Sequence, residues 1–189
     1  MEMLSGAVEP PKIFLRASAV LERQFVAYCM DCWIKRGVPE RAIPKHVGVC
    51  LSKLSSRPID VFPFNFLIFV QNNLSSLLRT FIQMFSLYLD ESSIAELHTF
   101  AQGDRLTDSP MHMRVYEAFE SLKKQRDALS SSIKQLKTLI KEIESKPKDK
   151  SFDEEIKELK SERTALLNVV RNLNNKDVFN FLSDEGLTA

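Results

Sequence analysis

Apolar residues recur at intervals of three and four along most of this chain, the spacing that lines one face of an α-helix. In the N-terminal part this pattern predicts a first helix over residues 13–36. Gly37 can adopt the left-handed conformation that ends a helix, and Pro39 cannot continue one. We therefore expect a turn there, followed by a shorter second helix over 44–55.

The apolar stripe from Leu67 to Tyr88 predicts a third helix, long and heavily buried. Asp90 or Ser92 can cap a short fourth helix, which should end at Gly103. The chain has only 5 glycines in 189 residues, too few for the many tight turns of a β-sandwich. These observations together predict an all-α fold.

The strongest pattern lies in the C-terminal part, where two series of residues alternate steps of four and three, as in a coiled coil. The first series runs from Phe119 to Ile143 and the second from Phe152 to Leu173, each with one arginine among its apolar members. The step between the two series breaks this phase and contains Pro147, which disfavours helix at the preceding residue. The pattern therefore predicts two helices that fold back on each other as an antiparallel coiled-coil hairpin.

Charge supports this antiparallel arrangement, because residues 123–150 hold nine basic and four acidic side chains, whereas 151–162 hold five acidic and two basic. A register that pairs Ile143 with Phe152 sets Lys141 beside Glu154, and Lys137 beside Glu158 in the same way. Exposed ion pairs contribute only about 0.2–1 kcal/mol each, so they select the orientation while apolar burial supplies the stability.

A two-helix hairpin buries one stripe on each helix, which leaves apolar residues such as Leu139 and Leu167 for a partner chain or for the rest of the protein. The alternative is an intramolecular three- or four-helix bundle without a partner. We predict protein partners, in a homo- or hetero-oligomer, bound through these residues: Phe119, Leu122, Leu129, Ile133, Leu136, Leu139, Ile140, Ile143, Ile156, Leu159, Leu166, Leu167, Val170 and Leu173.

Composition divides the chain at about the point where the coiled-coil pattern begins. Residues 1–112 contain 22 charged side chains and 9 of the 13 phenylalanines, whereas residues 113–189 contain 29 charged side chains. We predict an apolar helical head over 1–108, the hairpin over 109–175 with its turn near 145–151, and a C-terminal tail or short helix over 176–189.

Composition and motifs also exclude several classes of function. The net charge is +1 and the basic stripe of the first coiled-coil helix lacks interleaved aromatic residues, so we expect no nucleic-acid binding. The most apolar run, 59–70, is too short to span a bilayer, and the N-terminus lacks a secretory signal pattern. We expect an intracellular protein of the cytoplasm or nucleus, and with no catalytic constellation or nucleotide-binding motif we expect no enzymatic activity and no cofactor.

All three cysteines lie close in sequence to one histidine, in the pattern Cys29, Cys32, His46 and Cys50. Thiolates and an imidazole at such spacing can bind one Zn²⁺ tetrahedrally. The other interpretation is structural: Cys29 and Cys32 lie one turn apart on the first helix as small buried residues, and His46 borders the second helix.

The stretch from CMDC to HVGVCL resembles the small ubiquitin-binding zinc fingers of Cys-Cys-His-Cys type found in DNA-damage-response proteins. The resemblance implies one structural zinc held by Cys29, Cys32, His46 and Cys50, and a ubiquitin-facing helix from Pro44 onward. The sequence departs from the family pattern at Trp33 and at Gly48, the position that usually holds an acidic contact residue.

An apolar helical head before a coiled coil is the arrangement of a subunit in a larger assembly. It resembles the small subunits of the kinetochore MIND complex, in which a helical head precedes a coiled coil shared with sister subunits. From the sequence we expect a non-enzymatic structural or adaptor subunit that docks by helix packing. The alternative is a zinc-dependent ubiquitin-binding adaptor that oligomerises through its coiled coil.

Overall fold

The computed structural model describes residues 11–104 and 110–188, and over these residues the chain forms seven α-helices and no β-strand. The all-α prediction is confirmed. The helices are α1 (Pro11–Lys35), α2 (Val47–Lys53), α3 (Phe64–Met84), α4 (Glu91–Gln102), α5 (Met111–Glu144), α6 (Lys150–Asn174) and α7 (Val178–Asp184). None of the helices in the described ranges is both long and apolar enough to cross a lipid bilayer. The predicted boundary between residues 108 and 109 lies outside the described residues.

Two of the predicted helix ends follow the local chemistry of the sequence. After α1, Gly37 has a φ of 96°, and its N–H donates to the carbonyl of Ile34 at 3.0 Å. Before α4, the Asp90 carboxylate accepts a hydrogen bond of 2.7 Å from the N–H of Ser93. Asp90 is therefore the cap that the sequence left open between two residues, and it satisfies one of the free N–H groups of the first helical turn.

The third helix is shorter than predicted, because α3 ends at Met84 and not near Tyr88. After Met84 the hydrogen bonds tighten to a three-residue spacing, and the N–H of Tyr88 donates to the carbonyl of Phe85 at 2.9 Å. The Tyr88 side chain is 84% exposed. The apolar spacing therefore continues to Tyr88, but the helix ends at Met84 because the residues beyond it are not buried.

The chain divides into two units, and the first comprises the described residues 11–39, 66–104, 110–115 and 182–188. Its core contains an aromatic cluster around Phe81, whose ring centroid lies 5.3 Å from that of Phe25 and 5.5 Å from that of Tyr28. Helices α1 and α4 also pack together in this unit. Residues from distant parts of the sequence therefore form the core of this unit.

The second unit comprises residues 40–65 and 116–181. Phe119 is fully buried, and its ring centroid lies 6.1 Å from that of Phe62 and 5.1 Å from that of Phe181. Helix α2 packs on α6, and two backbone hydrogen bonds join the segments just before α2 and α7. The N–H of Val47 donates to the carbonyl of Lys176 at 2.9 Å, and that of Val178 donates to the carbonyl of Lys45 at 3.0 Å.

Candidate functional site

The candidate interaction surface is formed by α5 and α6, the helices that contain the two coiled-coil series. On α5 the members Ile133, Leu136, Ile140 and Ile143 are all at most 9% exposed. Every residue between them is exposed. Burial on this helix therefore follows the steps of four and three that define a coiled-coil stripe.

On α6 the members of the second series are again more buried than the residues between them, although less buried than those of α5. Its members from Phe152 to Leu173 are half-buried, and no residue of α6 is fully buried. All residues between the members from Phe152 to Leu173 are exposed. The α6 stripe is therefore less completely covered than the α5 stripe.

The residues predicted to bind a partner fall into three groups of exposure. Those buried within the chain are Phe119, Ile133, Leu136, Ile140 and Ile143. Those half-buried are Leu122, Leu129, Ile156, Leu159, Leu166, Val170 and Leu173. Leu139 and Leu167 are 45% and 39% exposed, and are the members most accessible to another molecule. Their role in partner binding stays a prediction.

One exposed apolar residue of this surface was not predicted. Val169 is 48% exposed, more than either Leu139 or Leu167. It precedes the stripe residue Val170, which is the only one of the two valines predicted to bind a partner. Its place three residues after Leu166 and four before Leu173 could have indicated a flank of the stripe.

An ion pair joins α5 to α6, because Lys160 Nζ lies 3.0 Å from Glu144 Oε1. Neither predicted pair, Lys141 with Glu154 or Lys137 with Glu158, is among the ion pairs of the described residues. Side chains on a helix point toward its N-terminus. Long side chains on antiparallel helices therefore reach neighbours several residues away from the directly opposite position.

The four predicted zinc ligands do not form a metal site in the described residues, which contain no group of three or more His, Cys, Asp or Glu side chains that could hold an ion. Cys29 and Cys32 lie on α1 in the first unit, whereas His46 and Cys50 belong to the second unit. Cys29 is fully buried, as the structural interpretation expected, whereas Cys32 is half-buried. Cys50, which that interpretation did not include, is also fully buried.

The state of these thiols also fits a structural role. Burial raises the pKa of Cys50 to about 12 and raises the pKa of Cys29 as well. Both thiols are therefore protonated and weakly nucleophilic at neutral pH in this structure. His46 precedes α2, and its Nδ1 lies 3.1 Å from the carbonyl oxygen of Asn175, a hydrogen bond that holds the ring against the end of α6.

The second unit contains a polar cavity of about 300 Å³, which no sequence motif indicated. The Arg57 guanidinium lies 5.6 Å over the Tyr116 ring and donates to the Tyr116 hydroxyl at 3.2 Å. Lys123 also lines the cavity and pairs with Asp127 at 2.5 Å. Lys124 and Glu120 complete the charged lining, which therefore contains three basic side chains and one carboxylate.

Comparisons of the chain with protein-family models, with curated protein sequences and with solved structures gave no significant match.

Proposed function

We propose that this protein is a non-enzymatic structural subunit of a multiprotein assembly, in which α5 and α6 pack as an antiparallel coiled-coil hairpin and present apolar side chains to a partner. The observation that carries the proposal is that the residues spaced by steps of four and three are also the residues that the folded chain buries or half-buries. The stripe residues of α5 from Ile133 to Ile143 are buried by the chain itself, and the corresponding stripe of α6 is half-buried.

The ion pair between the helices supports the hairpin independently. If stripe residues occupy heptad positions a and d, with Ile133 and Ile156 at a, then Glu144 and Lys160 both occupy position e. Position e of one helix lies beside position e of the other in an antiparallel pair. The contact of 3.0 Å between these two side chains is the contact expected of that geometry.

Two features favour an assembly subunit over a solitary helical bundle. Leu139, Leu167 and Val169 are each more than a third exposed although they border a buried stripe. Helix α5 extends over 34 residues, which at about 1.5 Å per residue is roughly 50 Å, long enough to act as a spacer. The alternative, a zinc-dependent ubiquitin-binding adaptor, lacks a cluster of metal ligands in the part of the chain that the structure describes.

Zero-length carbodiimide cross-linking tests the hairpin, because this reagent condenses an amine and a carboxylate in contact into an amide, with loss of water. We expect an intrachain cross-link between Lys160 and Glu144, identified by peptide mass spectrometry. Lys157 is the matched control, since it is also exposed on α6 but has no ion pair among the described residues. Equal cross-linking of Glu144 to both lysines, or to neither, would contradict the hairpin.

Size-exclusion chromatography of native extracts tests the assembly. The tagged full chain should elute in a complex larger than the purified protein, and the double variant Leu139→Asp, Leu167→Asp should elute at the size of the purified protein. Thr138→Asp is the control, because Thr138 is exposed but lies on the side of α5 away from the stripe. A wild-type chain that elutes from the extract at its purified size would refute the proposal.

A further inference from the structure

The two flanks of the proposed hairpin carry opposite charges. In the heptad numbering above, one flank consists of positions g and c, and the other of positions e and b. Over the paired part of the helices, which we take as residues 130–144 and 153–171, the g and c flank contains no basic residue. It contains four acidic residues: Glu142, Glu155, Glu158 and Glu162. We call it the acidic flank.

The opposite flank, over residues 130–144 and 153–171, is basic. It contains two acidic residues, Glu144 and Asp153, and six basic residues: Lys134, Lys137, Lys141, Lys157, Lys160 and Arg171. We call it the basic flank. Its net charge is +4 and that of the acidic flank is −4, so opposite sides of one hairpin are electrostatically complementary.

These charges are available to another molecule. The four glutamates of the acidic flank and the six basic residues of the basic flank, ten side chains in all, are exposed. Of these ten side chains, only Lys160 forms an ion pair within the described residues, with Glu144 on its own flank. The chain therefore does not neutralise either flank internally.

Each flank also offers apolar contact. Leu139 and Val169 lie on the acidic flank and are 45% and 48% exposed, and Leu167 lies on the basic flank and is 39% exposed. Small side chains, Ser132 and Ala165, accompany them on the acidic flank, so the backbone of another helix can approach closely there.

We infer that the acidic flank of one copy of this protein binds the basic flank of a second copy, so that copies associate in series. This inference rests on the hairpin of the proposed function. A two-fold symmetric dimer would place like charges against each other, whereas contact between unlike flanks leaves one free flank of each kind at the ends. Such a head-to-tail contact allows growth beyond a dimer.

Sedimentation equilibrium of the purified full chain tests the inference. At about 0.02 M salt, where the screening length is about 20 Å, the average mass should rise with concentration beyond that of a dimer. At about 0.5 M salt, where the screening length falls to about 4 Å, the protein should return toward a monomer. A wild-type protein that stays monomeric at low salt, or that stops at a dimer, would overturn the inference.

Charge-reversal variants distinguish this contact from other association. One variant carries Glu142→Lys, Glu158→Lys and Glu162→Lys on the acidic flank, and the other carries Glu replacements of Lys134, Lys137 and Lys141 on the basic flank. Each variant alone should remain monomeric at low salt because both of its flanks then carry the same sign. An equimolar mixture should associate, because each variant supplies the flank that the other lacks. If the variants alone associate as the wild type does, or the mixture stays monomeric, the inference is wrong.

The cross-link between Lys160 and Glu144 distinguishes a failure of self-association from a failure of the hairpin, since neither residue is changed in the variants. Normal helicity by circular dichroism together with the cross-link shows that a variant keeps the hairpin. A hairpin that forms without self-association overturns only the proposed contact between unlike flanks. A missing cross-link in the wild type would count against the hairpin itself.

Discussion

Ile140 and Leu139 are neighbours on α5 with opposite environments, and replacing each with alanine measures what the buried stripe contributes to stability. Ile140 is 3% exposed and Leu139 is 45% exposed. Both substitutions remove three carbon atoms and both introduce alanine at adjacent positions of the same helix. The two variants therefore differ mainly in how much apolar surface the wild-type side chain buries.

Removing three buried carbons at about 0.8 kcal/mol each costs about 2.4 kcal/mol, and the residual cavity raises the loss to as much as about 4 kcal/mol. The better helix propensity of alanine recovers about 0.4 kcal/mol. We therefore expect Ile140→Ala to lower the free energy of unfolding by about 2–3.5 kcal/mol. Leu139→Ala should lower it by about 1 kcal/mol or less, since nearly half of that side chain already contacts solvent.

The measurement is urea unfolding followed by circular dichroism at 222 nm, at low protein concentration and about 0.5 M salt so that screening suppresses association. A lower midpoint at an unchanged slope reports a change in stability. Equal losses for the two variants would refute the assignment of Ile140 to the stripe. A larger loss for Leu139→Ala would show that the phase of the stripe is wrong.

Two further results are expected. His112 is half-buried, and burial lowers its pKa below the ordinary 6.5, with Nδ1 buried and without a hydrogen-bond partner among the described residues. The unfolded chain therefore binds a proton more readily, so the wild type should lose stability as the pH falls from about 6.5 toward the folded-state pKa, and His112→Gln should gain relative to the wild type over that interval. Urea unfolding at pH 7 and pH 5 checks this, and an unchanged difference between the two proteins would contradict it. Second, treatment with a strong metal chelator should leave the helicity and the unfolding midpoint unchanged, because the described residues assemble no metal-ligand cluster; a loss of helicity that zinc restores would show that a structural zinc is present.

Local features of the fold could be read from the sequence because their causes lie within a few residues. The end of α1 at Gly37 and the Asp90 cap of α4 each depend on one residue and the adjacent helical turn. The stripe of α5 and α6 is equally local, since a repeat of seven residues places its members on one face of any helix. None of these predictions required knowing which distant residues pack against the helix.

The contacts that depend on distant residues could not be derived in this way. The Arg57 contact with Tyr116 joins residues 59 positions apart, and neither residue belongs to a recognisable motif. The cysteine and histidine pattern suggested a zinc site because spacing alone does not reveal that Cys29 and Cys32 belong to one unit and His46 and Cys50 to the other. Burial keeps the Cys29 thiol protonated, and only the folded chain determines that burial.

The sequence by itself determined the all-α class and the phase of the two long stripes, since both follow from the period of the helix. Tertiary structure decided where α3 ends, which apolar residues stay exposed beside the stripes, and where each cysteine lies. These properties depend on which distant surfaces cover a side chain. Burial is a property of the whole folded chain, and no short segment of sequence contains it.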